Sequence, residues 1–182
     1  MKLIAVSGST KCDWRIVDGE NIVASFYSNG LNPFFHSQEH VVEILEELEP
    51  LQKHRDAIKE VYIYSAGCGS KSLQKIVRNA VYEILPKAHV LVNHDIVASA
   101  LATYEGVSAI TCILGTGSNS CYFDGDIVRQ ETPALDYVLG DEGGGSYYGK
   151  QLLSAFLHGK LPPELHAAFK NEYDLTKKIF WK

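Results

Sequence analysis

The hydrophobic pattern of the chain contains one arrangement twice: an apolar strand, a glycine-rich turn, and a second strand that ends at Asp-Gly. Residues 3–26 form the first copy and residues 108–131 form the second. An Ile-Val pair follows each Asp-Gly and predicts a third strand in both copies. The pattern therefore predicts two three-stranded meanders, each with its glycine turn between the first two strands.

Between the two copies, helical and strand-like periods alternate along the chain. The predicted strands and helices are, in chain order, 38–54 (helix), 60–65 (strand), 70–85 (helix), 89–92 (strand) and 96–104 (helix). This order implies βαβ crossovers with parallel pairing of the strands. We place a domain boundary at Glu105-Gly106, which gives an N-terminal domain over 1–106 and a C-terminal domain over 107–182. Further helices are predicted over 147–157, 163–169 and 174–182.

Composition and charge are those of an ordinary globular protein. The chain has 182 residues and a formal net charge of −5, without a cluster of lysines and arginines. This argues against nucleic acid or an anionic membrane surface as the main partner. The four cysteines show no C-x-x-C spacing, and no segment reads as a signal peptide or a membrane span. We therefore expect a cytoplasmic protein with reduced thiols.

The two glycine turns are the strongest candidates for chemistry. Glycine lets the backbone come close to a ligand, and successive amide groups in such a turn form a nest that binds anions. One such turn alone fits an ordinary hairpin equally well, but the duplication favours a pair of phosphate-binding turns. The candidate phosphate-binding residues are Gly8, Ser9, Thr10, Lys11, Gly115, Thr116, Gly117, Ser118 and Asn119.

Three further polar residues lie at the boundaries of predicted elements. Asn32 precedes a proline, and it can either hydrogen-bond a hydroxylated ligand or begin a turn. Asp95 follows a predicted strand, where it can cap the next helix or take a proton from a substrate hydroxyl. Asp141 lies in a Gly-rich segment before a helix, a setting that favours anion binding. Its carboxylate fits a cation, a sugar hydroxyl, or the helix dipole.

Taken together, these motifs resemble the N-acetylglucosamine kinase family, within the BadF/BadG-type group of the actin-like ATPase and sugar kinase superfamily. Four segments carry the resemblance, at 7–14, 93–102, 114–120 and 140–144. The glycine turn over 114–120 is the most specific of them, and the four extend over nearly the whole chain.

The resemblance implies an α/β fold of the ribonuclease H-like (actin-like ATPase) kind, with mixed sheets, helices on both faces and an incomplete second domain. It also implies a sugar kinase that uses ATP and Mg²⁺ in a cleft between two domains and phosphorylates the C6 hydroxyl of N-acetylglucosamine or a related amino sugar. Asp95 would be the catalytic base, and Asn32, Asp95 and Asp141 would hold the sugar. The two glycine turns would hold the phosphates.

The sequence departs from the family at two places. Val6 stands where the family usually has an aspartate that helps to hold Mg²⁺, and valine offers no oxygen to a hard cation. The chain also stops at Lys182, before the family segment that binds adenosine. We therefore expect either a fragment of a longer product or an association, such as a homo-oligomer, that covers the apolar helix faces at Leu152, Leu153 and Phe156 and at 179–181.

Two alternatives to the sugar kinase stay open at the level of sequence. One is an ATPase that activates a reductase or dehydratase through an iron–sulfur cluster, which would need cysteines placed to share that cluster. The other is a non-catalytic remnant that binds a nucleotide or a sugar, a role that Val6 would permit. The expected partners in the leading interpretation are a small sugar and ATP, with neither nucleic acid nor membrane.

Overall fold

The computed structural model describes residues 1–130 and 132–173, and the chain divides into two compact units. The first unit contains Met1–Ile113 and Ser120–Thr132, and the second contains Leu114–Asn119 and the residues after Thr132. The helical stretch that we predict over 174–182 lies outside the described residues. The domain boundary at 106 remains a prediction.

The first unit is built on a five-stranded mixed sheet. Its strands are β1 (Lys2–Ser7), β2 (Lys11–Asp18), β3 (Asn21–Asn29), β4 (Glu60–Ser65) and β5 (His89–His94). Their order across the sheet is β3-β2-β1-β4-β5. The β1–β2 and β2–β3 pairs are antiparallel, and the β1–β4 and β4–β5 pairs are parallel. The predicted meander followed by βαβ units is therefore confirmed.

Alternating side chains of these strands form the main core of the first unit. Leu3 and Ala5 of β1, Trp14 of β2, and Val61 and Ile63 of β4 are fully buried on one face of the sheet. Three helices follow in this unit: α1 (Gln38–Glu46), α2 (Glu49–His54) and α3 (Lys71–Ile84). Their apolar faces join the same buried cluster as the strands, because hydrophobic residues at helical spacing lie on one side of each helix.

The helix that we predict over 38–54 is in fact two helices. α1 ends at Glu46, and α2 begins at Glu49 with Pro50 in its first turn. Proline has no N–H to donate and excludes a carbonyl of the preceding turn, so it is tolerated only at a helix start. Pro50 therefore forces the chain to begin a new helix.

The remaining elements of the first unit form a second, smaller core. They are α4 (Asp95–Thr103) and a three-stranded sheet of β6 (Ala109–Leu114), β7 (Ser118–Phe123) and β8 (Val128–Arg129), in that order. Ile96 and Ala100 of α4 are buried with Cys121 and Phe123 of β7. α4 also contacts β1, β4 and β5. Since its buried residues belong to a cluster separate from the main core, the two faces of the five-stranded sheet carry different helices.

The second unit contains three helices: α5 (Asp136–Leu139), α6 (Gly145–Leu157) and α7 (Pro163–Glu172). α5 has only four residues and was not predicted. Phe156 of α6 is buried and packs on the rings of His166 and Phe169 of α7. The expectation of an uncovered face therefore fails for Phe156, whereas Leu152 is exposed as expected.

None of the helices described in residues 1–130 and 132–173 has the length and apolar character needed to cross a membrane.

Candidate active site

The carboxyl ends of three parallel strands meet at one edge of the five-stranded sheet. Ser7, Ser65 and His94 are the last residues of β1, β4 and β5, and they are register neighbours across the sheet. The first glycine turn follows Ser7, and Asp95 follows His94. Open α/β sheets bind ligands at this edge, so the first unit brings two predicted site segments to the place where ligands are expected.

The buried side chain of Ser7 holds the first glycine turn by hydrogen bonds. The Gly8 N–H donates to the Lys11 carbonyl at 2.9 Å and closes the turn. The hydroxyl of Ser7, which is fully buried, donates to the Gly8 carbonyl at 3.0 Å and accepts the Leu31 N–H at 2.8 Å. Ser7 therefore joins the turn to the loop that follows β3. Gly30 of that loop lies so close that a Cβ there would be 2.6 Å from the Ser9 carbonyl oxygen.

Asn32 makes the second contact between this loop and the turn. Its Nδ2 donates to the Ser9 hydroxyl at 3.0 Å, and its Oδ1 accepts the Phe34 N–H at 3.0 Å. The residue is 5% exposed, and Gly67, at φ +78°, packs against its amide without room for a Cβ. The turn that we predict as one role of Asn32 is present, and the same side chain also holds a predicted phosphate-binding residue.

Lys11 supplies a positive charge at the end of the first turn. Its ammonium lies over the ring of Tyr27, 3.7 Å from the ring centroid, within the range of a cation–π interaction. Tyr27 is 55% exposed. The lysine is therefore placed beside the turn by an aromatic side chain that solvent and ligands can reach.

Asp95 is the first residue of α4 rather than its N-cap, which is His94. The Asp95 carboxylate accepts the Ile96 N–H at 2.9 Å, and its Oδ1 lies 3.3 Å from His94 Nε2. The side chain is only 19% exposed. Burial raises the pKa of Asp95, and the neighbouring His94 opposes that rise. A carboxylate with a raised pKa is a better proton acceptor than an ordinary surface aspartate.

Cys68, in the turn after β4, lies in the electrostatic surroundings of Asp95. Burial is the main cause that raises the pKa of the Cys68 thiol to about 11, and the charge of Asp95 adds to it. The thiol therefore stays protonated and inert at neutral pH. Sequence reasoning did not connect Cys68 with Asp95, because their proximity depends on the parallel pairing of β4 with β5.

The second glycine turn, residues 115–117, belongs to the second unit and docks on the start of α6. The N–H groups of Gly145 and Ser146 donate to the carbonyls of Gly115 and Thr116, at 2.8 and 2.9 Å. The first N–H groups of a helix have no partner within the helix, and here the turn satisfies two of them. This corrects the interpretation of the helix start as a direct anion site, because these two groups are already occupied.

Asp141 holds the other end of this turn. Its Oδ1 accepts the Ser118 N–H at 2.9 Å, and a Cβ on Gly117 would lie 2.5 Å from the same oxygen. The backbone of Asp141 is in the left-handed region, at φ +62°, which non-glycine residues seldom adopt. The fold thus places Asp141 on the second glycine turn, while the sugar contact that the resemblance implies remains a prediction.

The residues near Val6 offer few oxygen ligands to a Mg²⁺ ion, and the first turn remains the candidate for phosphate oxygens. Val6 is 44% exposed and pairs in register with Asp13, whose carboxylate accepts hydrogen bonds from Nη1 and Nη2 of Arg15. Among the described residues, no group of three or more His, Cys, Asp or Glu side chains could hold a metal ion. Mg²⁺ commonly keeps its waters and binds substrate phosphates, whereas the turn and Lys11 are direct candidates for phosphate oxygens.

No protein-family model and no curated protein matches the chain. Among solved structures, the chain is similar to a Porphyromonas gingivalis protein described as a "putative N-acetylglucosamine kinase", at 36% sequence identity and a TM-score of 0.88. The likeness covers 98% of this chain and 64% of that protein. The chain therefore spans slightly less than two thirds of the length of this relative.

Two further structures show the same fold at lower identity. A Chromobacterium violaceum protein of the same description has 20% identity and a TM-score of 0.65, over 93% of this chain and 62% of its own. A ROK hexokinase from Thermus thermophilus has 15% identity and a TM-score of 0.50, over 91% of this chain and 72% of its own. With 36% identity over 98% of its length, the chain is similar to that "putative N-acetylglucosamine kinase", and its fold is that of the actin-like ATPase and sugar kinase superfamily.

Proposed function

We propose that this protein is an ATP-dependent sugar kinase that phosphorylates the C6 hydroxyl of N-acetylglucosamine or a related amino sugar. The observation that carries the proposal is the grouping of the first glycine turn, Asn32 and Asp95 around one edge of a five-stranded sheet. The similarity to the Porphyromonas gingivalis protein supports the choice of sugar.

Asp95 is the proposed catalytic base. When the sugar oxygen bonds to the terminal phosphorus of ATP and the bond to ADP breaks, the hydroxyl proton must leave, and the Asp95 carboxylate accepts it. Its partial burial and raised pKa suit this role. The C6 position is chosen from the resemblance, since a primary hydroxyl is the group that the family presents to its base.

Asn32 is the proposed sugar-binding amide of the first unit, and the turn over 8–11 is the proposed phosphate site. An asparagine offers two N–H donors and two acceptor lone pairs, and the contacts to Ser9 and Phe34 use one of each. One donor and one lone pair therefore remain for a sugar hydroxyl or acetamido group. In the second unit, the turn over 115–119 is proposed as a phosphate-binding turn.

The proposal is tested by phosphorylation of N-acetylglucosamine with ATP and Mg²⁺, measured as sugar phosphate formed, with glucose as the comparison substrate. Asp95→Asn removes the base and keeps an oxygen for the Ile96 N–H, so the rate is expected to fall by roughly 10²- to 10⁴-fold. Asp126→Asn makes the same chemical change at an exposed loop position and is expected to leave the rate unchanged.

Val6→Asp separates a weak kinase from a non-catalytic binding protein. The side chain is exposed and points away from the main core, so an aspartate fits without repacking and adds an oxygen for Mg²⁺. A kinase that lacks a metal ligand gains turnover on this change. Absence of phosphorylated sugar in both forms, together with N-acetylglucosamine binding by calorimetry, would replace the kinase proposal by a sugar-binding role.

A further inference from the structure

We infer that Asn32 is a positioning residue that couples the sugar site to the first phosphate turn through the hydroxyl of Ser9. The inference rests on the proposed function, because it assigns the sugar to the hydrogen-bonding capacity that Asn32 has left. It goes further in making one amide group the physical link between the two substrates.

The orientation of the Asn32 amide is fixed by its neighbours. The Phe34 N–H can only donate, so the amide atom that faces it must be the oxygen, and the nitrogen must then face Ser9. In a flipped amide, the Asn32 Nδ2 donor would face the Phe34 N–H donor, and no hydrogen bond could form between them. Rotation of the whole group is also restricted, because Gly67 packs against the amide and the residue is 5% exposed.

This orientation determines what Ser9 can do. A hydroxyl carries one donor and two acceptor lone pairs. Since the Asn32 N–H donates to the Ser9 oxygen, that N–H occupies an acceptor position and leaves the Ser9 O–H to donate. A donor is what a phosphate oxygen requires. Asn32 therefore prepares Ser9 for an anion without touching the anion itself.

The loop that carries Asn32 is joined to the turn at further points, so a displacement of one is transmitted to the other. Leu31 donates its N–H to Ser7 beneath the turn, at 2.8 Å. Gly30 leaves no space for a Cβ beside the Ser9 carbonyl. A sugar that draws the Asn32 amide towards itself must move Ser9 as well, and by linkage an occupied phosphate site must alter the affinity for the sugar by the same factor.

The inference is tested on the whole chain by NMR titration with N-acetylglucosamine, with the backbone amide signals of Gly8, Ser9 and Thr10 as the readout. In the wild-type protein, these signals are expected to shift with the same saturation curve as the side-chain amide signals of Asn32. In Ser9→Ala, Asn32 is intact and the sugar still binds, but the response of Gly8 and Thr10 is expected to fall at least threefold.

Ser25→Ala is the matched control, since this exposed serine lies in the middle of β3 and its removal is expected to leave the turn response unchanged. Asn32→Asp provides a second variant that keeps the acceptor for Phe34 and loses the donor to Ser9. It is expected to shift the Ser9 and Thr10 signals even without sugar.

Each outcome decides between the two proposals. If the wild-type signals of Asn32 do not respond to N-acetylglucosamine, both the proposed function and the proposed coupling are wrong. If the sugar binds at Asn32 while the turn signals stay fixed, or respond equally in Ser9→Ala, the coupling is wrong and the kinase proposal stands. A turn response that requires Ser9 supports both.

Discussion

The two glycine turns have similar residues but are held in different ways. In the first unit, the neutral amide of Asn32 bonds the side chain of Ser9, and in the second unit, the carboxylate of Asp141 bonds the backbone N–H of Ser118. In both pairs, the partners are 23 positions apart along the chain. The repeat in the sequence is therefore matched by a repeat of loop contacts, while the chemical groups differ.

The difference gives the two turns different electrostatic characters. The first turn has Lys11 at its end, and the nearby Asp13 is paired with Arg15. The second turn has a carboxylate on one of its backbone donors, so a phosphate at Ser118 must compete with Asp141. Glycine content alone therefore does not make two turns equivalent anion sites, because the groups that hold each turn add or remove charge.

The largest predicted effect concerns pH and distinguishes Asp95 of the first unit from Asp141 of the second. Burial raises the pKa of Asp95, and the proposed base accepts a proton only when it is ionised. The rate of phosphoryl transfer is expected to be highest above that raised pKa. Below it, the rate is expected to fall by about tenfold for each further pH unit. The measurement is the pH profile of kcat.

Two variants test which residue causes this loss of activity at low pH, the acid limb of the profile. His94→Gln removes the charge that lowers the pKa of Asp95, so the limb is expected to move to higher pH. Asp141→Asn is expected to leave it where it is. If the acid limb instead shifts in Asp141→Asn and not in His94→Gln, the base belongs to the second unit and the assignment to Asp95 is wrong.

The next effect concerns the close approach of backbones in each turn. A Cβ on Gly30 would lie 2.6 Å from the Ser9 carbonyl oxygen, and a Cβ on Gly144 would lie 2.7 Å from the carbonyl carbon of Gly117. Since backbone cannot move aside as a side chain can, each change to alanine is expected to lower the free energy of unfolding by about 1–3 kcal/mol. Thermal or urea unfolding measures the loss.

Gly69→Ala and Gly149→Ala are the controls for the first and second unit, because a Cβ at either position meets nothing within 4 Å. Gly149 lies inside α6, so alanine there is expected to stabilise by roughly 0.5–1 kcal/mol. Equal effects of Gly144→Ala and Gly149→Ala would show that the second turn does not pack tightly against the start of α6.

The sheet and its connections could be predicted from the sequence, because they depend on local patterns. Short apolar stretches bounded by turn residues predicted the strands, and the order of strands and helices after the first meander implied parallel pairing. The single helix that we predict over 38–54 misses the division at Pro50, although the confinement of proline to a helix start indicates it. The four residues of α5, in contrast, are too few to show a helical period.

The contacts that define the site could not be predicted, because they join residues far apart in the chain. Nothing near Asn32 indicates that its amide faces Ser9, since that contact forms only when β2 and β3 have folded back on β1. The same holds for Asp141 and Ser118. The sequence identified the residues as polar groups at loop positions, and the fold supplied their partners.

A smaller effect is expected from Asp141 itself. Asp141→Ala leaves the Ser118 N–H without its acceptor, which is expected to cost about 1 kcal/mol because the group is partly exposed. Asp141→Asn keeps an oxygen at that position and removes the charge, so it is expected to preserve stability and tighten binding of inorganic tripolyphosphate. Isothermal calorimetry measures the affinity, and weaker binding in Asp141→Asn would mean that the carboxylate does not oppose the anion.

The smallest effect concerns Lys11 and Tyr27, a pair that belongs to the first turn. Tyr27→Leu removes the aromatic face beneath the ammonium, and an exposed cation–π interaction contributes about 0.5–1 kcal/mol. Tyr27→Phe keeps the ring and is the matched control. If the ring positions Lys11 for phosphate, Tyr27→Leu raises the KM for ATP by roughly two- to fivefold with kcat unchanged, while Tyr27→Phe leaves both constants as they are. An equal rise in the KM for ATP in both variants would assign the effect to the tyrosine hydroxyl. The aromatic ring would then not be what positions Lys11.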